Sequence, residues 1–90
     1  MTYILFGFDT DIINSIINDK PKKLIIFDEN EDNNARQMFE SCYANYKNIT
    51  MYEGDILLVF NTFLKLHPEE QDIIYKISNK IKNFFNLKSF

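Results

Sequence analysis

The run Leu24–Phe27 (LIIF) constrains the fold of this chain more than any other feature. All four residues are apolar, whereas a strand with one face in water alternates apolar and polar residues. The run therefore predicts a strand that is covered on both faces, as in parallel sheets, whose connecting helices lie on both sides. Pro21 stands shortly before the run and Asp28 directly follows it, so the predicted strand is short and sharply bounded.

Two further apolar runs, Thr2–Phe8 and Ile49–Tyr52, also predict buried strands. The segments between the runs, about Asp11–Asp19 and Asn33–Tyr46, have apolar residues at the spacings of an amphipathic helix. Alternating strands and helices predict parallel strands joined by right-handed crossovers. We therefore predict an α/β fold with a small three-stranded parallel sheet of order 3-2-1 and helices on both faces. This is half of the doubly wound Rossmann fold.

The chain beyond the third strand is predicted to form two helices. Ile56–Leu66 fits a helix, although its first five residues would also suit a strand, with residues 53–55 as a hairpin turn. A last helix is predicted from Pro68 to about Asn86, because proline and two glutamates suit a first helical turn. Both crossover helices would lie on one face of the sheet, so this last helix is expected to cover the other face, within the chain or in a dimer. Its apolar stripe is Ile73, Ile74, Ile77, Ile81, Phe84 and Phe85.

Length and composition predict that residues 1–90 form a single domain. The chain is 46% hydrophobic and 16% aromatic, which is ample material for a core. A single cysteine permits no internal disulfide, and no apolar run approaches the ~20 residues of a membrane span. A cytoplasmic location is the simplest expectation.

The charge distribution disfavours nucleic acid and membranes as partners. All 13 acidic residues and six of the ten basic residues lie within residues 1–72, whereas residues 73–90 hold four lysines and no acid. Phosphate contacts need a basic face, and the main body of the chain is acidic. The expected partner is another protein, or a second copy, bound through the sheet face or the C-terminal helix.

Ligands of this architecture bind beyond the carboxyl ends of the strands, where helix N-termini converge. Asp28 or Glu29, at the end of the second strand, could accept hydrogen bonds from ribose hydroxyls, and Asp55, after the third, could meet an adenine amino group. Solvated turn carboxylates and helix caps are the alternative interpretation of all three. No catalytic set and no metal site is predicted.

The first turn, residues 7–11, disfavours a nucleotide cofactor, so no cofactor is predicted. Close approach of a phosphate needs glycines, as in G-x-G-x-x-G, but this turn has Gly7 alone, followed by Asp9 and Asp11. Each carboxylate would repel a diphosphate by roughly 1 kcal/mol or more at close range.

Residues 3–32 (YILFGFDTDIINSIINDKPKKLIIFDENED) resemble the Rossmann-like core of bacterial motility accessory factor proteins, a family linked to flagellin glycosylation with nonulosonic sugars. The family pattern at the first turn is Phe-Gly-Phe-Gly-Asn-Gly. This chain keeps Phe6, Gly7 and Phe8, and has Asp9 and Asp11 at the next glycine positions. Residues 48–55 (NITMYEGD) are similar to the third-strand motif of S-adenosylmethionine-dependent methyltransferases. The resemblances imply a transferase that uses a sugar nucleotide or S-adenosylmethionine.

Three functional hypotheses follow. The favoured one is a non-enzymatic binding or interaction module on a degenerate half-Rossmann scaffold. The second is part of a transferase whose site is completed by another chain or a missing segment. The third is a protein that contacts membranes or nucleic acid through its basic C-terminal helix.

Overall fold

The computed structural model describes residues 1–29, 34–70, 72–79 and 81. Four strands form one parallel sheet of order 3-2-1-4, numbered along the chain, so the predicted parallel α/β fold is confirmed, but the prediction of three strands is wrong. Leu24–Phe27 lies between the first and third strands, as predicted. The elements are β1 (Thr2–Phe6), α1 (Thr10–Asn18), β2 (Lys23–Asp28), α2 (Asn34–Tyr43), β3 (Ile49–Glu53), α3 (Ile56–Leu66) and β4 (Ile73–Ile77).

The fourth strand replaces part of the predicted C-terminal helix. Ile73–Ile77 pairs in parallel with β1, in a register that sets Ile4 beside Tyr75. β-Branched and aromatic residues favour a strand, and a helix would leave one edge of β1 without hydrogen-bond partners. The prediction of a helix over these residues is therefore wrong. Phe84, Phe85 and Asn86, which it also included, lie outside the described residues.

α3, and not a C-terminal helix as predicted, covers the second face of the sheet in the described residues. The chain runs outward from β1 to β3 and then returns past β2 to β4. Reversing the direction of a right-handed crossover moves its helix to the opposite face, so α3 lies across the sheet from α1 and α2. The preferred helical interpretation of Ile56–Leu66 is confirmed, and the hairpin is excluded.

Two cores form on the two faces of the sheet. Alternate residues of β2 contribute to each: Leu24 and Ile26 pack towards α1 and α2, whereas Ile25 and Phe27 pack towards α3. This explains why the run is apolar throughout. The α3 side is rich in aromatic rings. Phe27 is fully buried there, with its ring centroid 5.6–5.9 Å from those of Phe6, Tyr52, Phe60 and Phe63.

α3 is apolar on most of its surface. Leu58 and Leu66 are 67% and 69% exposed, on the side away from the core. The helix has 11 residues, whereas a membrane span needs about 20. Across the described part of the chain, no helix combines the length and the apolar character needed to cross a bilayer.

Candidate functional site

The carboxyl ends of the parallel strands meet at one edge of the sheet, and all three predicted site residues lie there. Asp28 ends β2 and is the register partner of Glu53 on β3. Glu29 follows Asp28 and is half-buried, while Asp55 lies two residues beyond Glu53 and is exposed. The turn after β1 completes the edge. The sequence therefore placed these acids on the correct edge, and their contacts decide what each can do.

Asp28 links the end of β2 to the turns that follow β1 and β3. Its side chain is buried, and Oδ1 accepts a hydrogen bond from the Phe8 backbone N–H at 2.9 Å. Its backbone carbonyl accepts one from the Gly54 N–H at 3.0 Å. The carboxylate therefore holds the turn after β1 against the end of β2. A contact between Asp28 and a ribose stays a prediction, since the residue is only 1% exposed in this structure.

Carboxylates also occupy the N-termini of two helices at this edge. Asp55 caps α3, with Oδ1 accepting from the Leu58 N–H at 3.0 Å. Asp9 caps α1, with Oδ1 accepting from the Asp11 and Ile12 N–H groups at 3.0 and 3.2 Å. In nucleotide-binding folds such N–H groups bind the phosphates. Here the Asp9 and Asp55 carboxylates accept hydrogen bonds from several of these N–H groups.

The strand order places the topological switch point between β1 and β4, where ligands of doubly wound folds bind. In this chain Ser78 and Ile81, which follow β4, pack into that crevice. The Ser78 N–H donates to the Phe6 carbonyl at 2.9 Å, and the Ile81 N–H donates to the Ser78 carbonyl at 3.1 Å. Ile81 is 4% exposed and packs with the aromatic core under α3. The crevice is therefore filled by the chain itself.

Gly7 lies in close contact with both Ser78 and Ile81. Its φ is +91°, a conformation that favours glycine, and a Cβ added there would lie 3.0 Å from both Ser78 Cβ and Ile81 Cγ1. Ser78 is buried, and its hydroxyl donates to Asp9 Oδ2 at 3.5 Å. The close approach of Ser78 and Ile81 therefore requires glycine at position 7. The sequence could not indicate this, because 71 positions separate Gly7 from Ser78.

Arg36 was missed by the sequence analysis. The guanidinium of this α2 residue forms an ion pair with Glu53 and donates to the Met51 carbonyl at 3.1 Å. Asn48 and Gly54 make their backbone hydrogen bonds with β2, so by alternation the Met51 carbonyl points to the outer edge of β3. Arg36 therefore pairs with an outward-facing carbonyl on the outer edge of β3. No local pattern marks it, since only the fold brings α2 beside β3.

A second polar cluster lies at the opposite, amino edge of the sheet. His67, Glu69 and Glu70 have possible metal-ligating atoms within 4.8 Å of one another. Both oxygens of Glu70 are already engaged, however: Oε1 accepts from Lys23 and Oε2 from the Thr2 hydroxyl. His67 stacks on Phe63, with ring centroids 4.6 Å apart. These contacts join Glu70 to β1 and β2 and His67 to α3, which is a structural role.

The ion pair between Lys23 and Glu70 predicts a specific dependence of stability on pH. The hydrogen bond from Lys23 lowers the pKa of Glu70 below its ordinary 4.5, and the same bond raises the pKa of Lys23 above 10.5. Stability from Glu70 is present above pH 4.5 and is lost as the pH falls through its lowered pKa. Stability from Lys23 is lost as the pH rises through its raised pKa. Urea unfolding across pH 3–11 should show both losses, and both should be reduced in Glu70→Gln. Equal pH profiles for the two proteins would contradict the assignment.

No protein-family model, curated protein or solved structure matches this chain. The resemblances to motility accessory factors and to methyltransferases therefore stay predictions, and the geometry of the edge carries the functional argument.

Proposed function

We propose that this chain is a non-enzymatic, cytoplasmic binding module on a degenerate half-Rossmann scaffold, acting through contact with another protein or a second copy. The packing of Ser78 and Ile81 against Gly7 is the observation that carries the proposal. A dinucleotide bound at the switch point needs the volume that these side chains occupy. Opening that volume would expose Ile81 and part of the aromatic core to water, which is unfavourable.

The electrostatics of the edge support the same proposal. Asp9 and Asp55 cap the two helices whose N-termini would otherwise attract phosphate. A diphosphate placed there would meet these carboxylates, each repelling it by roughly 1 kcal/mol or more. A protein partner needs no anion site, so the capped helix ends do not hinder it.

A transferase completed by another chain or segment is the second candidate. The order 3-2-1-4 is the beginning of the doubly wound order, and Asp55 is exposed at its carboxyl edge. These two observations favour it, because a nucleotide could approach Asp55 from a second half of the fold.

Thermal-shift and calorimetric titrations with S-adenosylmethionine, a nicotinamide dinucleotide and a sugar nucleotide separate the two functions. We expect no binding tighter than about millimolar, where the binding free energy is about −4 kcal/mol. A ligand present at 100 times its dissociation constant would stabilise the chain by about 2.7 kcal/mol, which is readily seen. A micromolar ligand would therefore contradict the proposal. Loss of that binding in Asp55→Ala would then support the transferase.

A further inference from the structure

β3 and β4 are the two outer strands of the sheet, and their outer edges differ in protection. On β3, Arg36 caps the outward Met51 carbonyl. On β4, the Thr2 N–H donates to the Asp72 carbonyl and the Ser78 N–H to the Phe6 carbonyl, so even-numbered residues face β1. The backbone groups of Ile73, Tyr75 and Ile77 consequently point away from the sheet. Such an edge is a template for pairing with another chain.

The side chains of β4 make this edge apolar on one face. Ile73, Tyr75 and Ile77 are level with Thr2, Ile4 and Phe6 of β1, and they face the α3 side. Tyr75 stacks on Phe6 with ring centroids 6.2 Å apart, yet it is 51% exposed, and Ile77 is 45% exposed. Among the described residues α3 is the helix on this face, and it leaves Tyr75 and Ile77 partly exposed.

We propose that β4 pairs with β4 of a second copy, antiparallel about a two-fold axis at Tyr75, so that the two sheets become continuous. This inference rests on the proposed binding function and names its partner. The axis sets Tyr75 opposite itself and Ile73 opposite Ile77. Residues 73, 75 and 77 then exchange backbone hydrogen bonds across the interface, and the exposed Tyr75 and Ile77 side chains join the half-buried Ile73 in cross-strand pairs.

Charge favours a second copy as the occupant. Lys76 is the charged residue of β4, and an axis at Tyr75 sets it opposite Ile74. Moving the axis one residue towards the C-terminus, to Lys76, would place two lysines face to face, which is destabilising. The same axis brings Lys76 of each copy towards an acidic groove of the other.

That groove lies between α1 and β4 and has a volume of about 290 Å³. Its charged lining residues are Asp11, Asp19 and Lys76 of the same copy, so its two acids outnumber its one lysine. The Tyr3 hydroxyl donates to Asp19 at 3.1 Å, and Tyr3 is the register partner of Ile74. Asp19 is therefore held over the α1 face of the sheet, the face to which Lys76 of the second copy points. The two-fold axis makes this pair twice.

The apolar cleft of about 270 Å³ beside β3 offers a contrasting surface. It is lined by α3 side chains, among them Leu58 and Leu66, together with Tyr52 of β3. Arg36 occupies the neighbouring strand edge, so an added strand has no free carbonyl at Met51. Leu66 thus supplies a matched control, as an exposed apolar side chain away from β4.

Sedimentation equilibrium of the full chain tests the proposal. We expect a dimer for the wild-type chain. Tyr75→Glu places two carboxylates opposite each other at the axis and should raise the dimer dissociation constant about 100-fold. Leu66→Glu should leave it unchanged. Circular dichroism checks that each variant is folded.

Two charge-reversal substitutions test the interface even if the Tyr75→Glu variant does not fold. Lys76→Glu should raise the dissociation constant about tenfold, and Lys76→Glu combined with Asp19→Lys should recover most of the loss. A wild-type chain that stays monomeric at millimolar concentration overturns the proposal and leaves the edge to residues 82–90 or to another protein. A dimer abolished by Leu66→Glu, or one without recovery in the double variant, also overturns it. Neither result depends on the nucleotide titrations, which test the proposed function separately.

Discussion

Asp28→Ala is expected to lower the free energy of unfolding by about 2–3 kcal/mol. The carboxylate is buried and accepts the Phe8 N–H at 2.9 Å. Alanine leaves this donor without its acceptor, in a place that water does not reach, and it also opens a small cavity at the end of β2. Urea unfolding followed by circular dichroism measures the loss.

Two variants separate this role from that of a surface acid. Asp28→Asn retains a side-chain oxygen that can accept the Phe8 N–H, so it should lose less than Asp28→Ala. Asp55→Ala removes an exposed helix cap that accepts one N–H, from Leu58, and should lose about 1 kcal/mol. If Asp28→Ala cost no more than Asp55→Ala, the linking role assigned to Asp28 would be wrong.

Gly7→Ala is expected to lower the free energy of unfolding by about 2–4 kcal/mol, from backbone strain and overpacking together. At φ +91° any side chain is strained, and the new Cβ would lie 3.0 Å from both Ser78 Cβ and Ile81 Cγ1. The Ser78 contact is short and close to the backbone, so relief would require the chain after β4 to move. Denaturant titration gives the loss.

Gly54→Ala is the matched control for this substitution. Gly54 also has a positive φ, +133°, but an added Cβ there meets only Val59 Cγ2, at 3.4 Å. Its cost should therefore reflect strain alone, about 1–3 kcal/mol, and fall below that of Gly7→Ala. The difference between the two variants measures how tightly Ser78 and Ile81 fill the crevice. Equal losses would mean that the crevice can open easily, which would favour the transferase.

Contacts between residues distant in sequence explain why the site could be predicted only in part. Asp28, Glu29 and Asp55 follow apolar runs, and parallel strands end at a common edge, so their placement there was predictable from local pattern. The contact of Asp28 with Phe8 joins residues 20 positions apart, and the contact of Ser78 with Gly7 joins residues far more distant. No periodicity encodes such contacts.

The sequence by itself determined the strand–helix alternation, the parallel order of the first three strands and the buried character of Leu24–Phe27. These features depend on local propensity, on the hydrophobic pattern and on the handedness of crossovers, all of which act over short stretches of chain. Only the tertiary structure decided the rest. Ile73–Ile77 satisfies both a helical and a strand pattern, and it became a strand because β1 had an edge to pair. α3 then covered the second face because its crossover reverses direction. Both outcomes depend on where a distant strand lies, which no local pattern specifies.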